Sequence, residues 1–111
     1  MSEICQLHEI PDGEARSFPL PAHLASLPDQ QVLIFRRGMD AYAFVNRCPH
    51  AGTELNWQED QFMSDDGEYL QCFTHGALFT PETGQCVAGP CVGKSLTPVR
   101  LSIENGRCII D

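Results

Sequence analysis

Two short pairs of metal-binding side chains constrain this sequence more than anything else in it: Cys48-Pro49-His50 and Cys72-Phe73-Thr74-His75, with 21 residues between them. Each pair offers one thiolate and one imidazole, too closely spaced to share a helix face as an i, i+4 pair. Pairs of this kind belong on loop tips, and a rigid scaffold must bring two such tips together. Two thiolates and two imidazoles suit a single tetrahedral zinc. They also suit a two-iron, two-sulfide cluster with cysteines on one iron and histidines on the other. The short gaps, Pro49 between the first two ligands and Gly76 after the last favour the cluster.

The rest of the chain reads as strands able to carry those loops. Ile4 to Ile10 reads as an opening strand before the Pro11-Asp12-Gly13 turn, and Glu14 to Leu20 as a second short one. Pro19, Pro21 and Pro28 bracket Ala22 to Leu27, where one helical turn is the most that can form. Val32-Leu33-Ile34-Phe35 is a continuous apolar run suited to a strand buried on both faces. Arg36 to Asp40 turns the chain, and Ala41 to Val45 returns it straight into Cys48. Phe62-Met63 and Tyr69-Leu70-Gln71, around an Asp66-Gly67 turn signal, predict a hairpin that delivers Cys72. Ala77 to Phe79 predicts a further strand closed by Pro81 to Gly84, and Ala88-Gly89-Pro90 a third loop. Val99, Leu101 and Ile103 alternate with polar residues, and Asn105-Gly106 signals a type I′ turn into Arg107 to Ile110. The pattern predicts an all-β protein of short antiparallel strands. At 111 residues it is expected to be one domain, 1–111, with the metal segment inserted between outer hairpins.

The stretches CPHAGTEL and CFTHGALFTPETG resemble the Rieske [2Fe–2S] family, whose pattern is Cys-x-His, a spacer, then Cys-x-x-His. The resemblance implies a small β-sandwich or barrel-like base carrying a cluster-binding subdomain, here about residues 47 to 92. It implies one [2Fe–2S] cluster with Cys48 and Cys72 on the inner iron and His50 and His75 on the outer one, the histidines' other ring nitrogens toward solvent. It also implies that the loop around Pro90 covers the cluster. High-potential members in cytochrome bc complexes have a cysteine at the places of Thr53 and Thr74, forming a bridge between the loops, and hydroxyl residues at the places of Ala77 and Phe79. The departures here look like the low-potential Rieske ferredoxins that serve bacterial ring-hydroxylating oxygenases in aromatic hydrocarbon catabolism. His8 and His23 fall outside the two paired motifs and are expected to be ordinary histidines.

The formal charge of −8 is concentrated in the metal segment. Between Arg47 and Lys94 there is no basic residue but seven acids: Glu54, Glu59, Asp60, Asp65, Asp66, Glu68 and Glu82. That repels nucleic acid. It reads equally as a solvated acidic face or as a field that orients a basic partner. No apolar run approaches the length of a membrane span and no targeting segment is visible, so a cytoplasmic, soluble monomer is expected. Cys5, Cys86, Cys91 and Cys108 remain after the ligands and are expected to be small buried thiols, with a Cys86–Cys91 bridge the less expected alternative.

Three functions compete. The first is a one-electron carrier, not itself an enzyme, between a flavoprotein ferredoxin reductase and a terminal oxygenase. The second resembles the small subunit of an NADH-dependent nitrite reductase, which shares the fold. The third is a Cys2His2 zinc module. An oxygenase acting alone needs a second iron site on a further domain, for which 111 residues leave no room.

Overall fold

The computed structural model describes residues 2–21, 23, 30–47, 55, 62–64, 66–72, 76–90 and 92–110. Among them every strand pairing is antiparallel and there is no α-helix. The four-stranded sheet has the order β2 (Ala15–Pro19), β3 (Gln31–Arg37), β4 (Asp40–Val45), β8 (Pro98–Val99). A second sheet joins the chain ends, β1 (Ser2–Gln6) against β10 (Arg107–Ile110) against β9 (Leu101–Glu104). The third is built from β5 (Leu70–Gln71), β6 (Leu78–Phe79) and β7 (Cys86–Ala88). Pro19 and Pro98 both sit on edge strands, where the missing N–H breaks no ladder.

Strand β3 organises the interior. Val32, Leu33, Ile34 and Phe35 are all fully buried, as the apolar run predicts. Successive side chains point to opposite faces of a strand, so the run feeds two core layers. Leu33 and Phe35 join Phe44, Leu55, Phe62, Leu70, Cys72 and Phe79 on one face. Val32 and Ile34 join Leu7, Ile10, Cys108 and Ile110 on the other. Burying each large side chain contributes roughly 1.5–3 kcal/mol, so this single strand anchors both layers.

The third sheet is an excursion from the first. The chain leaves β4 at Val45 and returns beside it in β8, where Ala43 faces Val99 and Phe44 faces Pro98. The Val45 N–H donates to the Thr97 carbonyl at 2.9 Å, pinning departure to return. Inside the excursion, the 80–84 turn packs on the base at Phe44. A methyl at Gly84, whose φ is +74°, would come 2.7 Å from the Phe44 ring. Arg37, on the base, pairs with Glu82 of the same turn and lies 5.3 Å over the Phe35 ring.

Three expectations are corrected. The opening strand stops at Gln6, and Leu7–Glu9 forms a 3-10 turn. The Glu9 carboxylate accepts the Gln6 N–H at 2.5 Å, and Ile10 N–H donates to the Leu7 carbonyl, so the turn is satisfied locally and puts both Leu7 and Ile10 inward. Phe62-Met63 is not a strand but a single bridge, Met63 to Leu70. Asp66 holds the connection open as a longer loop, its carboxylate accepting from the Ser64 hydroxyl at 2.6 Å and the Glu68 N–H at 3.1 Å. The Ser64 bond foremost holds the Asp66 carboxyl below its usual range. Last, Val99 belongs to the base sheet while Leu101 and Ile103 belong to the terminal one; the alternation runs across a sheet boundary. The Asn105-Gly106 turn forms as predicted, with φ of 52° and 74°. The stretch from Ala22 to Leu27 lies outside the described residues except His23, which is exposed.

Candidate metal centre

Of the four expected ligands, Cys72 is described; Cys48, His50 and His75 lie outside the described residues, as do Thr53, Thr74 and Cys91. Cys72 follows directly on β5 and has no solvent exposure. Its neighbours in the core layer are apolar, among them Phe62, Leu70, Ala77 and Phe79. The turn that starts at Cys72 closes on itself: the Cys72 N–H donates to the Ala77 carbonyl at 2.8 Å and the Gly76 N–H to the Cys72 carbonyl at 2.7 Å. Gly76 has φ +74°, a conformation that glycine adopts without a Cβ penalty. Upstream, the Gln71 N–H donates to the Phe62 carbonyl at 2.7 Å. Cys72 is therefore held from both sides by backbone.

The first ligand loop is tied down by a residue that the sequence reading passed over. Asn46, only 3 % exposed, is the single buried polar side chain among the described residues. Its Oδ1 accepts the Leu55 N–H at 2.9 Å, and its own N–H donates to the Gln31 carbonyl at 2.8 Å. The bond from 46 to 55 spans the segment that contains Cys48 and His50. The available signal was a lone amide at the end of an apolar strand, just before a ligand pair. Its partner, a backbone N–H nine residues on, leaves no mark in the sequence. Asn46→Ala leaves that buried N–H without its acceptor, at a cost of about 1–3 kcal/mol. The expected result is a lower melting temperature together with faster loss of the cluster's visible absorption, followed in one thermal scan.

The third loop touches the second ligand turn through a glycine. Gly89 has φ +95°, and a Cβ there would stand 2.7 Å from the Ala77 Cα and 3.2 Å from the Ala77 N. Ala77 is the residue whose carbonyl receives the Cys72 N–H, so the loop before Pro90 lies against the backbone that positions Cys72. Strand β7, which leads into this loop, was not expected from the sequence. Cys86 on it is buried, and its thiol donates to the Ala88 carbonyl at 3.2 Å. Val87 and Val92, either side of the loop, are exposed.

The donor set fits an iron–sulfur cluster better than a solvent-exposed ion. Cys72 is a buried sulfur donor among apolar side chains, a setting that would suit an iron–sulfur cluster. Backbone amides are the usual hydrogen-bond donors to cluster sulfides. Those of Cys72 and Gly76 are already committed within the turn.

The Cys72 turn and the Gly89 loop meet at Ala77, against a core layer that Leu55 also joins. The family model for the Rieske [2Fe-2S] domain matches residues 2–102. The chain belongs to that family, and its cofactor is the [2Fe–2S] cluster that defines it. A search of curated protein sequences finds no match. Among solved structures, the fold is similar to the ferredoxin of carbazole 1,9a-dioxygenase from Nocardioides aromaticivorans IC177, with 19 % identity and a TM-score of 0.73 over 98 % of this chain and 94 % of that one. It is also similar to the Sphingomonas yanoikuyae B1 ferredoxin, with 24 % identity and a TM-score of 0.74 over 99 % and 96 %. The terminal oxygenase of carbazole 1,9a-dioxygenase from Novosphingobium sp. KA1 contains a similar unit, with 19 % identity and a TM-score of 0.72 over 96 % of this chain but 28 % of the oxygenase.

Proposed function

We propose that this protein is a Rieske-type ferredoxin, a one-electron carrier and not itself an enzyme, working in the cytoplasm between a flavoprotein reductase and a terminal oxygenase. The observation that carries the reading is the Cys-x-His and Cys-x-x-His donor set on a fold shared along nearly the full length of two ferredoxins. A solved complex between an oxygenase and a ferredoxin in carbazole 1,9a-dioxygenase, whose fold this chain also shares, supports the choice of partner. Cys48 and Cys72 would hold one iron and His50 and His75 the other. When bound, the cluster accepts and releases one electron at the histidine-ligated iron, where neutral imidazoles carry less negative charge than thiolates. The chain's own part is to hold Cys72 rigidly, exclude water around it and keep the turn 72–77 in register with the loop before Pro90. The whole of 1–111 acts as one domain in this reading, with 47–92 as its cluster-binding part.

Redox poise tests the reading. Ala77 and Phe79 are fully buried in the same core layer as Cys72, and neither has a hydroxyl. A hydroxyl donated to a sulfide or thiolate stabilises the reduced state and raises the potential. The expected midpoint is therefore near the bottom of the family range, about −150 mV. Protein-film voltammetry measures it, and a value above roughly +100 mV would turn the protein into a high-potential carrier.

The acidic segment supplies a second test. Asp66 and Glu68 are exposed, and no Lys or Arg lies between Arg47 and Lys94. If this field steers a basic partner, the second-order rate of electron transfer falls as salt rises, since exposed charges are screened beyond about 10 Å at 0.1 M. A rate unchanged by salt in stopped-flow mixing leaves these acids as solubility elements.

A further inference from the structure

The two ends of the chain meet at a pair of thiols. On β1 and β10, Ser2 faces Ile110 and Glu3 faces Ile109; the register then shifts, and Cys5 faces Cys108. The bulge at Ile4 causes this. Continued without it, the ladder would place Ile4 opposite Cys108 and turn Cys5 to the other face. With it, Cys5 is 6 % exposed and Cys108 fully buried, and both join the layer of Leu7, Ile10, Ile34 and Ile110. Directly opposed residues on antiparallel strands have Cα atoms about 4.5–5.5 Å apart. Disulfides span Cα separations of about 4.4–6.8 Å. The backbone thus already stands at bridging distance.

Each thiol also bears on the other's ionisation. The facing Cys108 thiol is the main cause that holds Cys5 far above the ordinary thiol range, and burial adds to it. The same pairing pulls Cys108 down. The nearest charges are carboxylates: Glu9 opposes ionisation of both thiols, and Glu3 that of Cys5. Arg107, next to Cys108, is turned to Glu3 at 3.3 Å on the exposed side.

We propose that Cys5 and Cys108 are a reversible oxidation site, closed to a disulfide by a small hydroperoxide such as hydrogen peroxide. The Cys108 thiolate attacks one peroxide oxygen and the O–O bond breaks, leaving a sulfenic acid on Cys108 and hydroxide, which takes up a proton. The Cys5 sulfur then attacks the Cys108 sulfur, the S–O bond breaks and water leaves. Two thiols and one peroxide become one disulfide and two waters; a two-electron thiol reductant reverses the change. The burial selects for a small oxidant. Access comes through β1, an edge strand of its sheet, where local opening costs less than at a central strand. The bridge ties the first strand to the last and closes a loop of more than 100 residues, the arrangement in which a cross-link constrains the unfolded chain most. Cys5 and Cys108 lie in the opposite core layer from Cys72, so the site stands apart from the metal centre and does not depend on the proposed function.

Peptide mapping tests this. The cluster-loaded protein is treated with hydrogen peroxide at a dose that oxidises a free thiol peptide in the same tube, then alkylated and digested with trypsin without reductant. The expected product joins the peptide of residues 1–16 to that of residues 108–111, and dithiothreitol separates it. The melting temperature of the oxidised protein rises by at least about 5 °C, and Cys5→Ala shows no such rise. Visible absorption, read in the same sample, scores cluster loss separately from thiol oxidation. Recovery of Cys5 and Cys108 as separate alkylated peptides, or as individual sulfinic acids, overturns the proposal. So does a cross-link that survives in Cys5→Ala. Should that variant fail to fold, the wild-type map alone decides.

Discussion

Exchange of His50 or His75 for alanine is expected to abolish the native iron–sulfur spectrum, while exchange of His8 or His23 leaves it intact. The two groups of histidines differ in setting. His8 sits in the 3-10 turn Leu7–Glu9 and is exposed; Cys5, three residues before it, is buried and faces Cys108 in the core layer away from Cys72. His23 is exposed beyond β2 with no cysteine nearby in the chain. His50 and His75 each follow a cysteine with one or two residues between, in the two pairs that flank the 51–71 spacer, and Cys72 is buried in a turn fixed by two backbone hydrogen bonds. Removing an imidazole leaves the cluster a ligand short, and no neighbouring side chain of the described turn supplies a replacement. Iron and sulfide content, visible absorption and electron paramagnetic resonance of the four variants measure the difference. A native signal in both His50→Ala and His75→Ala would remove the ligand assignment.

Gly89→Ala is expected to have the next largest effect, and Gly93→Ala isolates its cause. The two glycines have nearly equal φ, +95° and +96°, so alanine is strained to a similar degree at each. They differ in surroundings. A Cβ on Gly89 meets the Ala77 Cα at 2.7 Å, whereas one on Gly93 meets nothing within 4 Å. The obstacle at Gly89 is backbone, which cannot swing aside as a side-chain tip does. Left-handed strain of about 1–2 kcal/mol applies to both variants. Overpacking adds about 1–3 kcal/mol at Gly89 alone. That load falls on Ala77, whose carbonyl holds Cys72. Gly89→Ala should therefore lose both thermal stability and cluster occupancy, with a shifted midpoint in whatever cluster remains. Gly93→Ala should lose stability only. Equal cluster occupancy in the two variants would show that the Gly89 contact does not position the ligand turn.

What the sequence made legible and what it hid divide along the range of the interaction. Val32 to Phe35 could be read because a fully buried strand needs an unbroken apolar run, and Asn105-Gly106 because a tight hairpin needs left-handed residues. The family was equally plain, since its Cys-x-His and Cys-x-x-His spacing stands in the sequence and the family model matches residues 2–102. Leu7 to Glu9 misled because Leu7 and Ile10 are three apart, a spacing that serves a 3-10 turn as well as a ragged strand. The three residues of β7 have too little pattern of their own; they are a strand because β6 lies beside them. Asn46 to Leu55, Gly89 to Ala77 and Cys5 to Cys108 are each set by how distant segments stack, and no local rule announces such contacts. The Cys5–Cys108 facing depends on a bulge one residue long.

The central claim is that two of the four histidines bind iron. Pulsed electron paramagnetic resonance on the reduced protein, grown with nitrogen-15 histidine, tests it directly. The account predicts hyperfine coupling from two imidazole nitrogens bound to the reduced iron, both changing isotope with the label and both absent from His50→Ala and His75→Ala. A paramagnetic cluster with no histidine coupling, or a colourless protein containing zinc, would contradict it.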